Sequence, residues 1–487
     1  MNRVDTMNHT VEKIGGTSMS SFAAVRKNII LRPAETGDSL YQRIIVVSAY
    51  GGVTDRLLEH KKSGKPGIFA LFAEGMNDES WRDALQALKS EMFAINAELF
   101  TGPDLLAKAN AFISERLDDS ERCLSDLQSL CRHGHFSLES HLATVKEMLA
   151  SIGEAHSAWN TVTLLRDEGI NACFVDLTGW RSDEQQVSLD KRINSAFADI
   201  DLERQLPIVT GYAHSDSGLM SLFDRGYSEM IFSRIAVLTK AKETVIHKEF
   251  HLSSADPRVV GEAHAVPIGR TNYDVADQLA NLGMEAIHPR AAKGLRHDNI
   301  PLRVKNTFEP EHPGTLITSD YRSSEPCVEI IAGRRGVYAL ELFDQDMVGN
   351  IDEYDRQILA TIRRFRAHIV SKDINANTVT HYLFTNLKTV RRIRAALEEI
   401  YSEAEINQQK VAIVSAIGSD MQVSGILAKA VGALAEGNIS VLAMHQSMRE
   451  VDMQFIINED DYDESIKGLH RKLVEVHNHG EAICLAS

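Results

Sequence analysis

The stretch VEKIGGTS, residues 11–18, decides the fold that this sequence predicts. It begins at an apolar residue and continues through a lysine, two glycines and two hydroxyl residues, as a strand running into a phosphate-binding turn would. Adjacent glycines let the backbone approach a polyanion, so that several N–H groups can point at one phosphate. The hydroxyls add donors, and the lysine adds a point charge. The stretch therefore supplies five candidate residues, Lys13, Gly15, Gly16, Thr17 and Ser18.

The order of these residues differs from two common phosphate-binding motifs. In a P-loop the lysine follows the glycines, and a dinucleotide-binding turn has the spacing GxGxxG. Taken alone, the stretch is also compatible with a tight turn that carries a solvated lysine. The rest of the chain has to decide between these interpretations.

Composition and charge argue against several classes of protein. The chain has 487 residues, enough for two or three domains. Its 52 Lys and Arg against 68 Asp and Glu give a formal net charge of −16, which argues against nucleic acid and polybasic membrane contacts. No apolar run approaches the roughly 20 residues of a membrane span, and residues 1–10 lack the apolar core of a signal peptide. Five scattered cysteines predict neither disulfides nor a zinc site, so a cytoplasmic location is expected.

Residues 43–48, RIIVVS, read as a buried strand of a parallel sheet because they are short, β-branched and nearly all apolar. Ligands of open α/β sheets bind beyond the carboxyl ends of strands. We therefore expect Ser48 and Thr54, which follow this strand, to contact a substrate. The alternative is that both residues only cap a turn and a helix.

Further strands are predicted at 171–177, 205–211, 245–250 and 300–304. They alternate with helical segments over about 315 residues, a pattern that indicates one large α/β domain.

Two charged residues in this part of the chain suit an amino-acid substrate. Glu154 is predicted near the start of a helix that runs to about Arg166, where a carboxylate gains from the helix dipole and could bind an ammonium group. Arg225, beside Gly226, could hold a carboxylate in bidentate fashion. An ordinary surface ion pair is the alternative for Arg225.

The last third of the chain carries an internal repeat. Asp346-Met347 recurs as Asp420-Met421, and the strand-like segment 381–384 recurs at 454–457. Each half reads as strand, helix, two strands and helix, the βαββα(β) unit of ferredoxin-like folds. Two such units behind an enzyme domain suggest regulation or dimerisation.

The assembled motifs resemble the aspartate kinases over nearly the whole chain. The resemblance implies an α/β architecture: a three-layer amino-acid kinase (carbamate-kinase-like) domain at 1–320 and two ferredoxin-like ACT domains. We place the ACT domains at 325–404, with 480–487 as a candidate completion, and at 405–479. The motifs that carry the resemblance are KIGGTS at 13–18, VSA at 47–49 with GVT at 52–54, GE at 153–154, RG at 225–226 with Ser228, DPR at 256–258, HP at 288–289, and NTF at 306–308 with PGT at 313–315.

Several positions depart from the family pattern. The usual aspartate of the Gly-Arg-Gly-Gly-Ser-Asp motif is Glu229, the usual nucleotide segment is replaced by residues 247–251, and the lysine expected before the His-Pro motif falls at Glu285. Among these features, Tyr227, residues 247–251 and the long segment 174–180 look like the aspartate kinases associated with ectoine biosynthesis.

The resemblance implies transfer of the γ-phosphoryl group of ATP, with Mg²⁺, to the side-chain carboxylate of L-aspartate, which gives 4-phospho-L-aspartate. It assigns Lys13 and Glu229 to catalysis, with no protein metal ligand. The substrate would contact Ser48, Thr54, Glu154 and Arg225. The nucleotide would contact Lys13, Gly15, Gly16, Thr17, Ser18, Asp256 and Arg258.

Two alternatives remain open at this point: a catalytically impaired subunit that senses an amino acid, and a kinase for another acidic acceptor such as glutamate or N-acetylglutamate. The resemblance further implies an amino-acid effector, lysine or threonine, and a homodimer formed through the ACT domains. A purely structural dimer module is the competing interpretation. The implied effector residues are Met347, Val348, Gly349, Ser419, Asp420, Met421 and Gln446.

Overall fold

The computed structural model of the protein describes residues 8–33, 37, 39–60, 63–74, 79–181, 187–220, 226–284, 286–476 and 482–483. The chain divides into two compact units. The first comprises residues 1–251 and 287–318, and the second comprises residues 252–286 and 319–487.

Strands and helices alternate through both units. The strands are β1 Thr10–Ile14, β2 Arg43–Val47, β3 Ala172–Val175, β4 Leu206–Thr210, β5 Glu243–Lys248, β6 Arg270–Asn272, β7 Leu302–Asn306, β8 Thr315–Thr318, β9 Ile330–Phe343, β10 His368–Asn375, β11 Thr378–Phe384, β12 Glu405–Ile417, β13 Val441–Gln446 and β14 Asp452–Asn458. The helices are α1 Gly16–Met19, α2 Phe22–Val25, α3 Val53–Leu57, α4 Ile68–Glu74, α5 Ser80–Leu99, α6 Pro103–Cys131, α7 Leu142–Asp167, α8 Leu189–Phe197, α9 Tyr227–Thr239, α10 Pro257–Val260, α11 Tyr273–Asn281, α12 Pro289–His297, α13 Ile351–Arg364, α14 Leu387–Ile400, α15 Ile426–Glu436 and α16 Tyr462–Leu473.

The first unit is built on a largely parallel sheet. Its strands run in the order β3-β4-β2-β1-β5-β7-β8, and β8 alone of these is antiparallel to its neighbour. Ile44 to Val47 of β2 are fully buried, as the apolar run predicts for a strand covered on both faces. Because β2, β1 and β5 are neighbours, the loops that follow them meet at one edge of the sheet.

The helix α7 begins earlier than the sequence suggests. The prediction that Glu154 lies near a helix start is wrong, because this residue lies in the middle of the 26-residue helix. Gly153 resembles a helix boundary, yet it is a packing residue, since a Cβ at that position would come within 2.6 Å of the Ala49 Cβ. Glu154 is therefore held by a rigid helix and not at a helix terminus.

The second unit contains the repeat. Its antiparallel sheet has the strand order β10-β11-β9-β12-β14-β13. Each half contributes strand, helix, two strands and helix, as predicted, and the halves join where β9 pairs with β12. Two apolar cores lie within the unit, a smaller one around Leu340, Ile358 and Ile393 and a larger one around Ile413 and Phe455.

The predicted domain boundaries are not tested by this division and stay predictions. Residues 252–286 group with the C-terminal part of the chain. Of the segment 480–487, the structure describes Ala482 and Ile483, which pair with Gly269 and Ile268.

Candidate active site

Lys13 and Glu229 form the charged centre of the first unit. Lys13 lies on β1 and is 8% exposed, and its Nζ is 3.7 Å from Glu229 Oε1. Glu229 stands in the first turn of α9, and its Oε2 accepts a hydrogen bond of 2.5 Å from the His288 backbone N–H. Glu229 thus connects the lysine to the start of α12, which places one nearly buried ammonium group beside the glycine turn.

The glycine turn that follows β1 has little space on one side. A Cβ on Gly16 would lie 2.7 Å from the Ala49 carbonyl oxygen, whereas a Cβ on Gly15 would have at least 3.6 Å to its nearest neighbour. Gly16 is therefore required by the close approach of two backbone segments. The Gly15 N–H points back to the His247 carbonyl at 3.4 Å, which fixes the turn against β5.

The two hydroxyl residues of the turn have different surroundings. Thr17 is exposed, whereas Ser18 is fully buried. The Ser18 hydroxyl donates to Glu249 Oε1 at 3.2 Å and lies 3.1 Å from the Thr307 hydroxyl. Ser18 consequently ties the turn to the ends of β5 and β7, and Thr17 is the hydroxyl that faces solvent.

Ser48 directly follows β2, and Thr54 lies in the first turn of α3. The Ser48 N–H donates to the Ile14 carbonyl at 3.1 Å, and its hydroxyl is 3.4 Å from the Ser228 hydroxyl. Thr54 belongs to α3, whose preceding residue Gly52 has φ +87. The structure therefore brings the first of these predicted substrate residues directly beside β1 and α9.

Glu154 is a buried carboxylate whose two oxygens differ in their hydrogen bonding. It is 2% exposed, and its Oε1 accepts a hydrogen bond of 2.9 Å from the Tyr227 hydroxyl. Within the part of the chain that the structure describes, its Oε2 has no hydrogen-bond partner. Burial raises the pKa of Glu154 to about 7, opposed by the Tyr227 hydroxyl, by the backbone N–H groups of Glu154 and Ala49 and, less, by the positive charge of Lys13. A cation placed at Oε2 would relieve this penalty.

A group of three side chains that the sequence did not predict lies beside Glu154. It consists of Tyr227, Tyr212 and Glu147 and is called the wall below. The two tyrosine rings meet edge to face at 5.7 Å, and the Tyr212 hydroxyl donates to Glu147 Oε2 at 2.6 Å. The one available signal is that Glu147 precedes Glu154 by two helical turns and so shares its face of α7. The wall holds the Tyr227 hydroxyl against Glu154.

The segment 247–251, which begins within β5, contributes His247 to a buried ionic group. Glu12, which alternates with Lys13 to the opposite face of β1, receives hydrogen bonds from Arg43 at 2.6 and 2.9 Å and lies 2.9 Å from His247 Nε2. Burial alone would raise the pKa of Glu12, but the charge and hydrogen bonds of Arg43 outweigh it and hold that pKa well below its usual range. His247 therefore joins β1 to β5.

Three predicted site residues are not brought to this centre by what the structure describes. Arg225 lies outside the described residues. Asp256 and Arg258 belong to the second unit, where the Asp256 carboxylate accepts from the Arg258 backbone at 2.9 Å and pairs with its guanidinium at 2.7 Å. The Arg258 hydrogen bond lowers the pKa of Asp256. Their contact with a nucleotide stays a prediction.

The first implied effector loop, in the second unit, is open. Met347 is fully buried, but Val348 is 62% exposed. Gly349 has φ +86, and a Cβ at this position would meet no atom of the described residues within 4 Å. Gln446, at the end of β13, is also exposed.

The second implied effector loop is anchored. The Ser419 N–H donates to Glu329 Oε1 at 3.1 Å and its hydroxyl donates to the same oxygen, while the Thr271 hydroxyl lies 3.4 Å from Glu329 Oε2. Glu329 is fully buried, and burial raises its pKa to about 7. The Asp420 carboxylate caps the Gln422 N–H at 3.1 Å, and Met421 is 1% exposed.

The described residues contain neither a candidate membrane span nor a candidate metal-binding group. None of their helices has the length and apolar character to cross a membrane. No group of three or more His, Cys, Asp or Glu side chains among them is arranged to hold a metal ion.

Comparisons with known proteins identify the family and the fold of this chain. The model of the amino acid kinase family matches residues 8–306, and a model of the ACT domain matches residues 414–473. An aspartate kinase named Ask_Ect, from Stutzerimonas stutzeri (strain A1501), is 55% identical over 478 residues, which cover 98% of this chain and all of that protein. The chain belongs to the amino acid kinase family and, within it, to the aspartate kinases.

More distant relatives extend the likeness. An aspartokinase of Candida albicans is 24% identical over 96% of this chain and 90% of its own length. The crystal structure of E. coli aspartokinase III with aspartate and ADP has a TM-score of 0.71 at 20% identity, covering 96% of this chain and all of that one. A second E. coli aspartokinase III structure, with lysine and aspartate, has a TM-score of 0.70.

These findings confirm the predicted amino-acid kinase fold with ACT repeats, the membership of the aspartate kinases and the ectoine-associated subgroup. The chain is an enzyme of the aspartate kinase type.

Proposed function

We propose that this aspartate kinase transfers the γ-phosphoryl group of ATP to the β-carboxylate of L-aspartate through the residues around Lys13 and Glu154. The observation that carries the proposal is the buried Glu154 carboxylate, whose Oε2 lacks a partner among the described residues. A buried carboxylate oxygen without a hydrogen-bond partner is costly, and a second positive charge close to it would lower that cost. The α-ammonium group of aspartate would supply that charge.

Ser48 and Thr54 orient the same substrate, and Arg225 holds one of its carboxylates. The Ser48 hydroxyl lies at the carboxyl end of β2, next to α9. The neighbouring wall of Tyr212 and Tyr227 keeps Glu154 in one rotamer. An amino acid bound here would meet an anion for its ammonium group and hydroxyls for its carboxylates.

The reaction requires positioning and charge neutralisation more than proton transfer. A free aspartate side chain has a pKa near 3.9 and is already ionised at neutral pH, so no general base is needed. Lys13 neutralises charge on the transferring group, the amide of Gly16 assists it, and Glu229 keeps the ammonium group in place. The Gly15 amide, which donates to the His247 carbonyl, holds the turn. Thr17 and Ser18 complete the turn.

The donor is ATP, accompanied by Mg²⁺. The glycine turn suits a phosphate group because a Cβ on Gly15 would lie 4.0 Å from the Lys13 Nζ, so the missing side chain leaves the space next to the lysine free. Mg²⁺ in such sites is commonly bound by phosphate oxygens and water with one or two carboxylates, and Glu229 is the carboxylate that adjoins Lys13. Asp256 and Arg258 are assigned to the nucleotide side.

Regulation is assigned to the repeats. We infer that an amino acid, lysine or threonine, binds at the open loop around Met347, Val348 and Gly349 with contributions from Ser419, Asp420, Met421 and Gln446, and that two chains pair through these domains. The support is the exposure of Val348 and the unpaired outer edges of β10 and β13 within the described sheet. The enzyme would act in the cytoplasm at the first step toward ectoine or the aspartate family of amino acids.

The test is MgATP turnover with L-aspartate, with the acyl phosphate trapped as its hydroxamate. Hydroxamate should require aspartate, and Lys13→Ala should reduce its formation by about a thousandfold, because one charge at the transferring group is lost. Lys27→Ala, which removes an exposed lysine, is the matched control. Equal rates in Lys13→Ala and wild type would refute the assignment.

The sensor alternative predicts a different result. Folded wild-type protein would then form no hydroxamate with ATP and aspartate, yet its melting temperature would rise with lysine or threonine. Replacing aspartate by glutamate or N-acetylglutamate tests the remaining alternative acceptors in the same assay.

A further inference from the structure

A basic groove lies on the first repeat of the second unit, and the aspartate kinase reaction does not use it. It is a shallow depression, open to solvent, on one face of α14 and is lined by Leu387, Lys388, Arg391, Arg392 and Ala395. The three cations are exposed. None of them forms an ion pair among the described residues. This arrangement is unusual in a chain whose formal net charge is −16.

The basic surface continues onto the neighbouring helix. The Arg392 guanidinium lies 5.0 Å from the centre of the Phe365 ring, and the Arg364 guanidinium lies 5.6 Å from the same centre. Arg363 and Arg366, close to Phe365 in the sequence, are also exposed. Residues 361–370 and 386–396 contain no aspartate or glutamate, so the end of α13 and the groove form one continuous positive surface.

Helix stability does not explain this pattern. Lys388, Arg391 and Arg392 have i,i+3 and i,i+4 spacings, at which like charges destabilise a helix. The cations also occupy the N-terminal half of α14, while Glu398 and Glu399 lie near its C-terminus, which is the reverse of what the helix dipole favours. The inner face of α14, with Val390, Ile393 and Leu397, is fully buried and accounts for the packing.

We propose that the basic groove binds a small polyphosphate, the phosphate chain of a nucleotide or an inorganic polyphosphate. Guanidinium groups match phosphate oxygens in bidentate geometry, and lysine adds a point charge. The acidic charge of the whole chain disfavours a long nucleic acid, which would extend beyond the groove. The site is distinct from the cradle at Lys13 and does not rest on the proposed reaction.

Titration calorimetry with sodium tripolyphosphate, without nucleotide, tests the proposal. Lys13→Ala protein serves as the background, because it removes the cation of the catalytic cradle. One tripolyphosphate should bind per chain, and Arg391→Gln/Arg392→Gln should weaken that binding at least tenfold. Arg204→Gln/Arg471→Gln is the charge-matched control and should bind as the background does, since both arginines are exposed and lie outside the groove. Equal weakening by both pairs would show only a general charge effect and overturn the site.

Three other outcomes would also overturn the proposal. Tripolyphosphate could fail to bind the background protein at millimolar concentration. Binding of a duplex or single-stranded oligonucleotide without binding of tripolyphosphate would indicate a nucleic-acid surface. A change of sedimentation coefficient in Arg391→Gln/Arg392→Gln without any loss of tripolyphosphate binding would indicate a contact with a second copy. Hydroxamate formation by Arg391→Gln/Arg392→Gln should equal that of wild type without tripolyphosphate, which separates this site from the reaction.

Discussion

Glu154 and Glu329 are two buried glutamates with the same raised pKa of about 7 but opposite hydrogen bonding. Glu154, in the first unit, has one oxygen bound to Tyr227 and the other without a partner among the described residues. Glu329, in the second unit, has hydrogen-bond donors at both oxygens. The difference teaches that burial and pKa alone do not distinguish a ligand site from an anchor, whereas the hydrogen bonding of each oxygen does.

Glu154→Gln should give the largest effect. The amide keeps the shape and can still accept from Tyr227, but it cannot pair with an ammonium group, so kcat/KM for aspartate should fall about 10²–10³-fold. The melting temperature should be unchanged or higher, because a buried charge is removed. Hydroxamate kinetics and thermal unfolding measure the two quantities. Glu329→Gln is the matched control, and a similar loss of kcat/KM there would erase the distinction.

Glu329→Ala should act on stability. It leaves the Ser419 N–H and hydroxyl and the Thr271 hydroxyl without their acceptor, which should cost about 3 kcal/mol of unfolding free energy. Urea denaturation followed by circular dichroism measures this loss. Glu329→Gln should lose less, since its amide oxygen still accepts. An Ala variant as stable as wild type would show that Glu329 does not anchor the loop.

The free energy of unfolding should depend on pH through two carboxylates, those of Glu154 and Glu329. Each folded-state pKa is raised from 4.5 to about 7, so the folded protein binds more protons than the unfolded chain between these values. Their contribution is fully present below the unfolded pKa and is lost as pH rises through the folded pKa, by about 1–3 kcal/mol for each group. Glu12 has the opposite, lowered pKa and loses its contribution only at more acidic pH.

Urea midpoints at about pH 5 and about pH 7.5 measure this effect. Glu154→Gln and Glu329→Gln should each reduce the fall in stability between the two values. Saturating aspartate should abolish the contribution of Glu154 to this fall in stability and leave the contribution of Glu329, since only Glu154 is expected to contact the substrate. If stability fell by the same amount between these two pH values in wild type and in both variants, the assigned pKa values would be wrong.

Tyr227→Phe should give the smallest effect. It removes the hydrogen bond that favours ionised Glu154, so the pKa of Glu154 should rise further. The KM for aspartate should increase about tenfold near pH 7, about 1.4 kcal/mol, and less near pH 9, where the carboxylate is ionised in any case. Tyr212→Phe, which disturbs Glu147, is the comparison. A pH-independent increase would indicate a packing defect only.

The sequence predicts local features well. The turn of Gly15 and Gly16 and the buried strand β2 follow from short runs of adjacent residues, and the structure has both. The repeat in the second unit also follows from the sequence, because hydrophobic periodicity and recurring residue pairs are local signals.

Long-range partners could not be predicted. The donor to Glu154 is Tyr227, 73 residues away, and the second partner of Glu229 is the backbone of His288. The loops around Val348 and Ser419 look alike in sequence, yet only the latter is held by Glu329, which no spacing connects to it. Gly153 resembles a helix boundary because nothing local reveals that Ala49 packs on it.

The long pairing of β9 with β12 has a mechanical consequence. The ladder runs from the pair Glu405 and Phe343 to the pair Ile417 and Ile330 and changes register between Val411 and Ile413. Sliding one repeat along the other would break many hydrogen bonds at once, whereas bending at the register change breaks few. The paired repeats should therefore resist sliding and bend mainly at this register change, so that a force applied to either repeat is transmitted to the other as bending at that point.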